Sequence, residues 1–300
     1  MAVKNNVKRA YELMGMRVHL QVSHILTNMV GAASDVQELS VQVTNRPELY
    51  LTLRDPATLD DFLVVNDDVI SYDDADGFQA VFEGSDVGLA RVWIDAFAWL
   101  DADSLLLSFA ADGQRVPDIA TPVDEEDIVR FDASSLGPTT AGTFSVYLDG
   151  SDLGLIEPAD DVDALETLSD GRIVISTVGP SSAPNVAAAD EDLLVLEPTS
   201  LGETTAGTLT HFFDGKDVGL GDVGEDVDAA AIGADGEIYL STRGAFSVSN
   251  NGLAGEDEDV FVFSPTSLGR TTEGTFSSNL SFDGSAFGLE ATNVAGIDLP

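Results

Sequence analysis

Cysteine is absent from this sequence, and lysine occurs only at positions 4, 8 and 216. The absence of cysteine excludes a disulfide framework, thiol catalysis and a thiolate metal site. The scarcity of lysine argues against a nucleic-acid partner, because a phosphate backbone is bound mainly through Lys and Arg side chains. No apolar run reaches the roughly 18 residues of a membrane-spanning helix, so no membrane span is expected.

Acidic residues dominate what is present. The 300-residue chain has 53 Asp and Glu against 13 Lys and Arg, a formal net charge of −40. Such a charge repels itself and disfavours a compact state, whereas about 1 M salt shortens the Debye length to about 3 Å and screens most of the repulsion. Because 44% of the residues are hydrophobic, the chain can still bury a core. The composition predicts a folded protein from a halophile, with concentrated salt as its solvent.

The N-terminal segment, residues 1–34, differs in charge from the rest of the chain. It has one acidic residue, Glu12, against the four basic residues Lys4, Lys8, Arg9 and Arg17. A basic start of this kind resembles a signal peptide, but polar residues interrupt the apolar stretch that a signal peptide needs. We expect the segment to be part of the mature fold.

The rest of the sequence contains four copies of one unit. The eight residues FEGSDVGL at 82–89 recur with small changes at 148–155, 213–220 and 282–289. The spacings between the first glycines of successive copies are 66, 65 and 69 residues. A near-constant period is typical of architectures that repeat one supersecondary unit.

Each unit reads as four short strands. In the third unit they are predicted at 162–168, 172–177, 192–196 and 208–213, and Asp170-Gly171 marks a tight hairpin between the first two. The other strands are predicted at 36–43, 48–53, 68–72 and 78–82, at 94–100, 104–109, 127–131 and 143–148, and at 227–232, 237–242, 259–263 and 275–282. Four antiparallel strands per unit is the pattern of a propeller blade. The sequence predicts an all-β propeller over residues 35–300, in preference to a β-solenoid, whose coils are shorter.

The two chain ends predict how the propeller closes. Residues 293–299 follow the fourth unit and match the pattern of an inner strand. Residues 17–22 alternate like a strand, and residues 25–30 lie directly ahead of the first unit's inner strand, where an outer strand of the preceding blade belongs. We expect four full blades and a composite fifth blade, with its inner strand from the C-terminus and its outer strands from the N-terminus. Such a closure hides two sheet edges. The alternative for the N-terminal segment is a helix over residues 5–30, because its apolar residues also fit a helical stripe.

The repeat resembles a group of largely uncharacterised bacterial and archaeal repeat proteins. The shared hallmarks are F-D-G-S-D-V-G-L, a D-V-D-A-L inner strand, a D-G hairpin, A-D-E-D and a T-S-L-G turn, which stand here at 213–220, 161–165, 170–171, 189–192 and 199–202. The likeness covers residues 35–300 and implies a propeller-like fold, often in a surface or secreted setting, without implying a reaction. An extracellular surface or a virion is the favoured location, and the cytoplasm stays open because no convincing signal peptide precedes the repeats.

Aspartates recur at three places in the unit that a propeller brings to one face. They lie in the loop to the next blade, at the start of the inner strand and at the start of the third strand: Asp86, Asp152 and Asp217; Asp95, Asp163 and Asp228; Asp127, Asp192 and Asp259. Clustered hard oxygen ligands suit Ca²⁺ or Mg²⁺, so these nine residues are candidate metal ligands, with Ca²⁺ as the candidate cofactor. An aspartate at a strand start can equally accept hydrogen bonds from backbone amides and shape a turn. The repetition favours turn shaping, because a folding motif must recur in every blade and a catalytic site need not.

Enzyme signatures are weak in this sequence. The histidines at positions 19, 24 and 211 are too scattered to predict a zinc centre or a Ser-His-Asp triad. The string G-x-G-x-x-G at 219–224 precedes a strand rather than a helix and lacks the context of a nucleotide site. We predict a non-enzymatic structural or interaction module with protein partners, on a surface or in a large assembly such as a virion. The alternative is a Ca²⁺-dependent hydrolase of phosphoesters or lactones that uses the acidic face.

Overall fold

A computed structural model describes residues 48–300 except 61, 182, 185 and 249–251. The basic N-terminal segment, with its predicted strands or helix, and the strand predicted at 36–43 lie outside the described residues. Within them, the backbone forms four four-stranded antiparallel sheets, two two-stranded hairpins and four helical turns of three or four residues. The predicted all-β propeller is confirmed.

Residues 49–148 form three strands of the first blade and the whole of the second blade. The first-blade segment consists of β1 (Leu49–Leu53), a small hairpin of β2 (Ala57–Leu59) and β3 (Phe62–Val64), then β4 (Asp68–Asp73) and β5 (Gly77–Glu83). The second blade consists of β6 (Ile94–Asp101), β7 (Ser104–Phe109), β8 (Ile128–Ser135) and β9 (Ala141–Leu148). Its strands pair in chain order, so that β6 is innermost and β9 outermost. Single 3-10 turns, Gly84–Val87 and Ser151–Leu153, follow β5 and β9.

The third and fourth blades have the same strand order. The third consists of β10 (Ala164–Thr167), β11 (Ile173–Ser176), β12 (Leu193–Ser200) and β13 (Ala206–Phe213), followed by a helical turn, α1 (Gly215–Val218). The fourth consists of β14 (Ala229–Ile232), β15 (Ile238–Ser241), an inserted hairpin of β16 (Phe246–Val248) and β17 (Leu253–Gly255), then β18 (Phe261–Ser267) and β19 (Glu273–Phe276). A 3-10 turn, Gly284–Phe287, leads to the last strand, β20 (Val294–Asp298). The outer strand β19 is shorter than the predicted 275–282.

The hydrophobic core lies between neighbouring blades. Strand β7 is buried along its whole length, as is the LLVL stretch that begins β12, because each blade is covered on both faces by its neighbours. Four clusters of buried apolar side chains fill the four blade junctions. The inner strands β20, β6, β10 and β14 contact one another around the central axis. We call the end of the axis where these strands begin the entry end, and the other the exit end.

The C-terminal strand closes the ring at a different place from the one predicted. Strand β20 pairs antiparallel with β1, with Tyr50 opposite Asp298 and Leu51 opposite Ile297, so the first blade has the order β20-β1-β4-β5. The C-terminus does supply an inner strand, but β20 completes the first blade instead of opening a fifth. Every residue of β20 is buried, which suits an inner strand, and pairing satisfies the edge that β1 would otherwise expose. The outer strands expected from residues 17–30 lie outside the described residues.

Candidate functional site

The aspartates at the start of each third strand hold two loops together. In the third blade, the amide of Ala189 donates to Asp192 Oδ2 at 2.9 Å, and the amide of Gly215 donates to Asp192 Oδ1 at 3.0 Å. The same pair of bonds recurs in the other three blades, at Asp68, Asp127 and Asp259. The backbone amides therefore engage both carboxylate oxygens of three predicted metal ligands, Asp127, Asp192 and Asp259.

The aspartates of the loop between blades form a second repeated contact, which we call the blade latch. The amide of Thr205 donates to Asp152 Oδ2 at 2.8 Å, and the amide of Asp149 donates to Thr205 Oγ1 at 2.9 Å. Thr205 belongs to the next blade, so the two bonds join neighbours. Equivalent latches pair Asp86 with Thr140 and Asp217 with Thr272.

The junction between the fourth and first blades is built differently. Ala286 replaces the latch aspartate in the fourth copy of the repeat. Strand β20 pairs with β1 there, and four aromatic rings pack together, those of Tyr72, Phe78, Phe282 and Phe287. Apolar packing and strand pairing thus hold this junction together, whereas hydrogen bonds to aspartate hold the other three junctions.

The aspartates at the start of the inner strands lie at the entry end together with residues that the sequence did not single out. Two more buried aspartates, Asp161 and Asp226, precede Asp163 and Asp228 by two residues. Asn293 occupies the position equivalent to Asp161 and Asp226 just before β20, and its Nδ2 donates to Asp228 Oδ2 at 2.9 Å. We call this group the entry cluster; its members are Asp95, Asp161, Asp163, Asp226, Asp228 and Asn293. The repeated D-V-D at 161–163 and 226–228 was the signal that could have identified the additional aspartates.

Burial raises the pKa of every carboxyl group in the entry cluster. It raises the pKa of Asp95 to about 7, that of Asp161 to about 8 and that of Asp226 to about 7. The pKa values of Asp163 and Asp228 lie well above their usual range, first because of burial and also because of neighbouring carboxylates. The repulsion on Asp163 comes foremost from Asp226, so the cluster behaves as one electrostatic unit.

Several oxygens of the entry cluster have no hydrogen-bond partner in the described part of the chain. They are one oxygen each of Asp161, Asp226, Asp228 and Asn293 and both oxygens of Asp163. A single cation is within ion-pair distance of a cluster carboxylate among the described residues, with Arg243 Nη1 3.6 Å from Asp226 Oδ2. No group of three or more His, Asp or Glu side chains in this part is already arranged as a metal centre.

Two more buried carboxylates lie at the exit end, and neither was a candidate from the sequence. Glu166 Oε2 accepts a hydrogen bond from the amide of Ile232 at 2.8 Å, and Asp298 Oδ2 accepts one from the amide of Trp99 at 2.6 Å. Each bond joins the inner strands of neighbouring blades. Burial, and then repulsion from Asp298, raises the pKa of Glu166 to about 8, and burial raises that of Asp298 to about 6.

The exit-end pair predicts that stability rises as the pH falls from about 8 to about 5. Both pKa values are raised in the folded state, so folded molecules retain protons that unfolded molecules release. The stabilisation is complete below the usual carboxyl range near 4 and is lost as the pH rises through about 6 and then about 8. Each such proton changes the free energy of unfolding by about 1.4 kcal/mol per pH unit. Urea unfolding in constant molar salt measures this slope.

The variant Glu166→Gln isolates the contribution of the pair. Its side chain stays neutral, so its unfolding free energy should vary less with pH than that of the wild type. Slopes are compared rather than absolute values, because glutamine can replace only one of the two carboxylate oxygens. Glu197, exposed on β12 of the same blade, gives the control Glu197→Gln, which should keep the wild-type slope. Equal slopes for wild type and Glu166→Gln would contradict the assignment.

A surface pocket of about 370 Å³ at the outer side of the third blade contains His211, Lys216 and Arg270 next to three acidic residues. His211 lies on β13, with its Nε2 2.6 Å from the carbonyl oxygen of Ala187 and its Nδ1 3.9 Å from Asp192 Oδ2. The histidine therefore contacts a loop carbonyl and a loop-shaping aspartate. Among the residues that line this pocket, none is a serine, threonine or tyrosine that His211 could activate as a nucleophile.

Comparison with known proteins gives no family to which the chain can be assigned. No protein-family model matches it, and no curated protein matches it. The resemblance to F-D-G-S-D-V-G-L repeat proteins stays a prediction. Among the described residues, no helix is long and apolar enough to cross a membrane.

Proposed function

We propose that this protein is a structural and interaction module of a halophile that joins a larger assembly, on a cell surface or in a virion. The blade latch is the observation that carries the proposal. Asp86, Asp152 and Asp217 each join one blade to the next, and the third-strand aspartates each join two loops. The repeated carboxylates therefore hold the ring rigid, and a rigid ring suits a scaffold.

The charge of the chain supports the halophilic part of the proposal. A net charge of −40 favours expansion of the chain in dilute buffer. Salt near 1 M screens interactions beyond about 3 Å, which weakens the repulsion across the surface while close contacts such as the latches persist. Concentrated salt thus stabilises a ring whose blades are joined by short hydrogen bonds to aspartate side chains.

The interaction part of the proposal is tested by carbodiimide crosslinking in the intact source cells or particles. The reagent couples carboxylates to amines, and this chain has 53 acidic residues but only three lysines. Most crosslinks are therefore expected to reach lysines of other proteins. Mass spectrometry should identify the same partner peptides in repeated preparations, coupled to carboxylates on one face. Crosslinks that are random over the surface, or absent, would contradict an assembly role.

The hydrolase alternative is tested on the purified protein in molar KCl. Phosphoester and lactone probes are incubated with and without a chelator, and hydrolysis is measured. In a second experiment, the melting temperature of the protein is measured as the KCl is diluted below about 0.5 M. The scaffold proposal expects no hydrolysis above the buffer rate and a sharp loss of stability on dilution. Chelator-sensitive hydrolysis would favour the enzyme, and a melting curve that is indifferent to salt would refute the halophilic part.

A further inference from the structure

We propose that the entry cluster binds a hard divalent cation, with Ca²⁺ preferred over Mg²⁺. The site would lie on the propeller axis, where the inner strands of three blades and the C-terminal strand begin. It draws on three of the nine predicted ligands, Asp95, Asp163 and Asp228, together with Asp161, Asp226 and Asn293. Each of the remaining six predicted ligands accepts at least one hydrogen bond from a backbone amide. This site goes beyond the scaffold role and does not depend on it.

Asp163 is the strongest single indication of a ligand. It is 2% exposed, and neither of its side-chain oxygens has a hydrogen-bond partner among the residues that the structure describes. A buried carboxylate without partners is costly unless a proton or a cation neutralises it. Asp226, Asp95, Asp228 and Asp161 all act on Asp163 electrostatically, so its neighbours add to the charge that must be neutralised.

The charge balance of the cluster also points to a cation. It contains five buried carboxyl groups, and their one ion pair with a described residue is the long contact of Arg243 with Asp226. Arg54 also acts on Asp95 from a greater distance, with its guanidinium 4.8 Å from the centre of the Trp93 ring. Two arginines cannot neutralise five carboxylates, so without a cation the cluster must retain protons. A divalent ion would take the place of those protons as the neutralising charge.

The donor atoms decide the class of ion. The unpartnered atoms are carboxylate oxygens and the amide oxygen of Asn293, which are hard ligands that suit Ca²⁺ and Mg²⁺ rather than softer metals. Mg²⁺ requires near-ideal octahedral geometry, whereas Ca²⁺ accepts six to eight oxygens in flexible arrangements. Because the side chains come from the starts of different strands, the flexible coordination of Ca²⁺ suits the site better.

Thermal melting in molar KCl at constant ionic strength tests the proposal. At CaCl₂ about 100-fold above Kd, the melting temperature should rise by about 5–10 °C relative to chelator, and by less with MgCl₂. Asp163→Asn and, as a second variant, Asp161→Asn should lose most of that shift. In chelator, Asp163→Asn should melt no lower than the wild type, because it replaces a buried carboxyl group that lacks hydrogen-bond partners with a group of similar size that is always neutral. The control Asp235→Asn, in the exposed hairpin between β14 and β15, should keep the full shift.

Terbium luminescence locates the bound ion, because Tb³⁺ replaces Ca²⁺ and is sensitised by a nearby tryptophan. Trp93 lies two residues before Asp95, while Trp99 lies in β6 four residues after Asp95, about 13 Å further toward the exit end. Trp93→Phe should abolish the sensitised emission and keep the calcium-dependent melting shift, whereas Trp99→Phe should keep both. The proposal is overturned if calcium leaves the wild-type melting temperature unchanged, if Asp163→Asn and Asp161→Asn keep the shift, or if emission depends on Trp99.

Discussion

A chain that ends at Thr292 should lose the stable propeller fold. This truncation removes β20, the inner strand of the first blade, whose Val294 and Ile297 are 0% and 1% exposed. It also leaves the inner edge of β1 unpaired and opens the contact between β20 and the inner strands of two neighbouring blades. The ring would then lack both its closing strand and one quarter of the wall around its axis.

The expected loss in the free energy of unfolding is more than about 5 kcal/mol. Burial of each large apolar side chain contributes about 1.5–3 kcal/mol, and each ladder hydrogen bond contributes about 1 kcal/mol. A typical domain is stable by only about 5–15 kcal/mol, so the truncated chain should be largely unfolded. Urea unfolding in molar KCl, followed by tryptophan fluorescence, measures the loss, because Trp99 contacts Asp298 of β20.

Two further chains make the truncation result specific. A chain that ends at Asp298 keeps all of β20 and should retain nearly full stability. A synthetic peptide of residues 292–300, added to the longer truncation, should restore the fluorescence of the folded state. A chain ending at Thr292 that unfolds within about 1 kcal/mol of the wild type would show that β20 does not close the ring.

The strands could be predicted because their signals are local. The Asp170-Gly171 hairpin and the alternation of 172–177 are visible within a few residues, and the structure has β10 and β11 on either side of that turn. The blade that β20 joins is not a local property. The pattern of residues 293–299 predicts an inner strand. Whether that strand opens a fifth blade or completes the first depends on packing between residues far apart in the chain.

The roles of the aspartates show the same limit. Asp152, Asp163 and Asp192 appear equivalent in the sequence as repeated acidic positions. Their roles differ because Asp192 accepts bonds from amides three and 23 residues away, and Asp152 accepts one from an amide 53 residues away. Asp163, in contrast, has no partner among the described residues. The sequence specifies the carboxylate, and only the folded ring determines which donors reach it.

Replacing Gly215 by alanine should destabilise the protein by about 3 kcal/mol or more, at the upper end of what overpacking usually costs. A Cβ at Gly215 would overlap the backbone carbonyl oxygen of Glu191, and backbone cannot move aside as a side chain can. The same overlap recurs at the first glycine of every repeat, with Asp67, Glu126 and Glu258 as the obstructing carbonyls. Displacement of Gly215 would also break its hydrogen bond to Asp192, which holds the two loops together.

The control is Gly171→Ala in the hairpin between β10 and β11. Gly171 has a φ of +88° and open space around it, so alanine there meets only backbone strain of about 1–2 kcal/mol. Gly150, the counterpart of Gly215 in the second blade, has a φ of −69° that alanine adopts freely, so Gly150→Ala tests the overlap without left-handed strain. Urea unfolding in molar KCl should place Gly150→Ala and Gly215→Ala well below Gly171→Ala in stability. The reverse order would mean that turn conformation, rather than the close approach of two loops, explains why the third residue of each repeat motif is glycine.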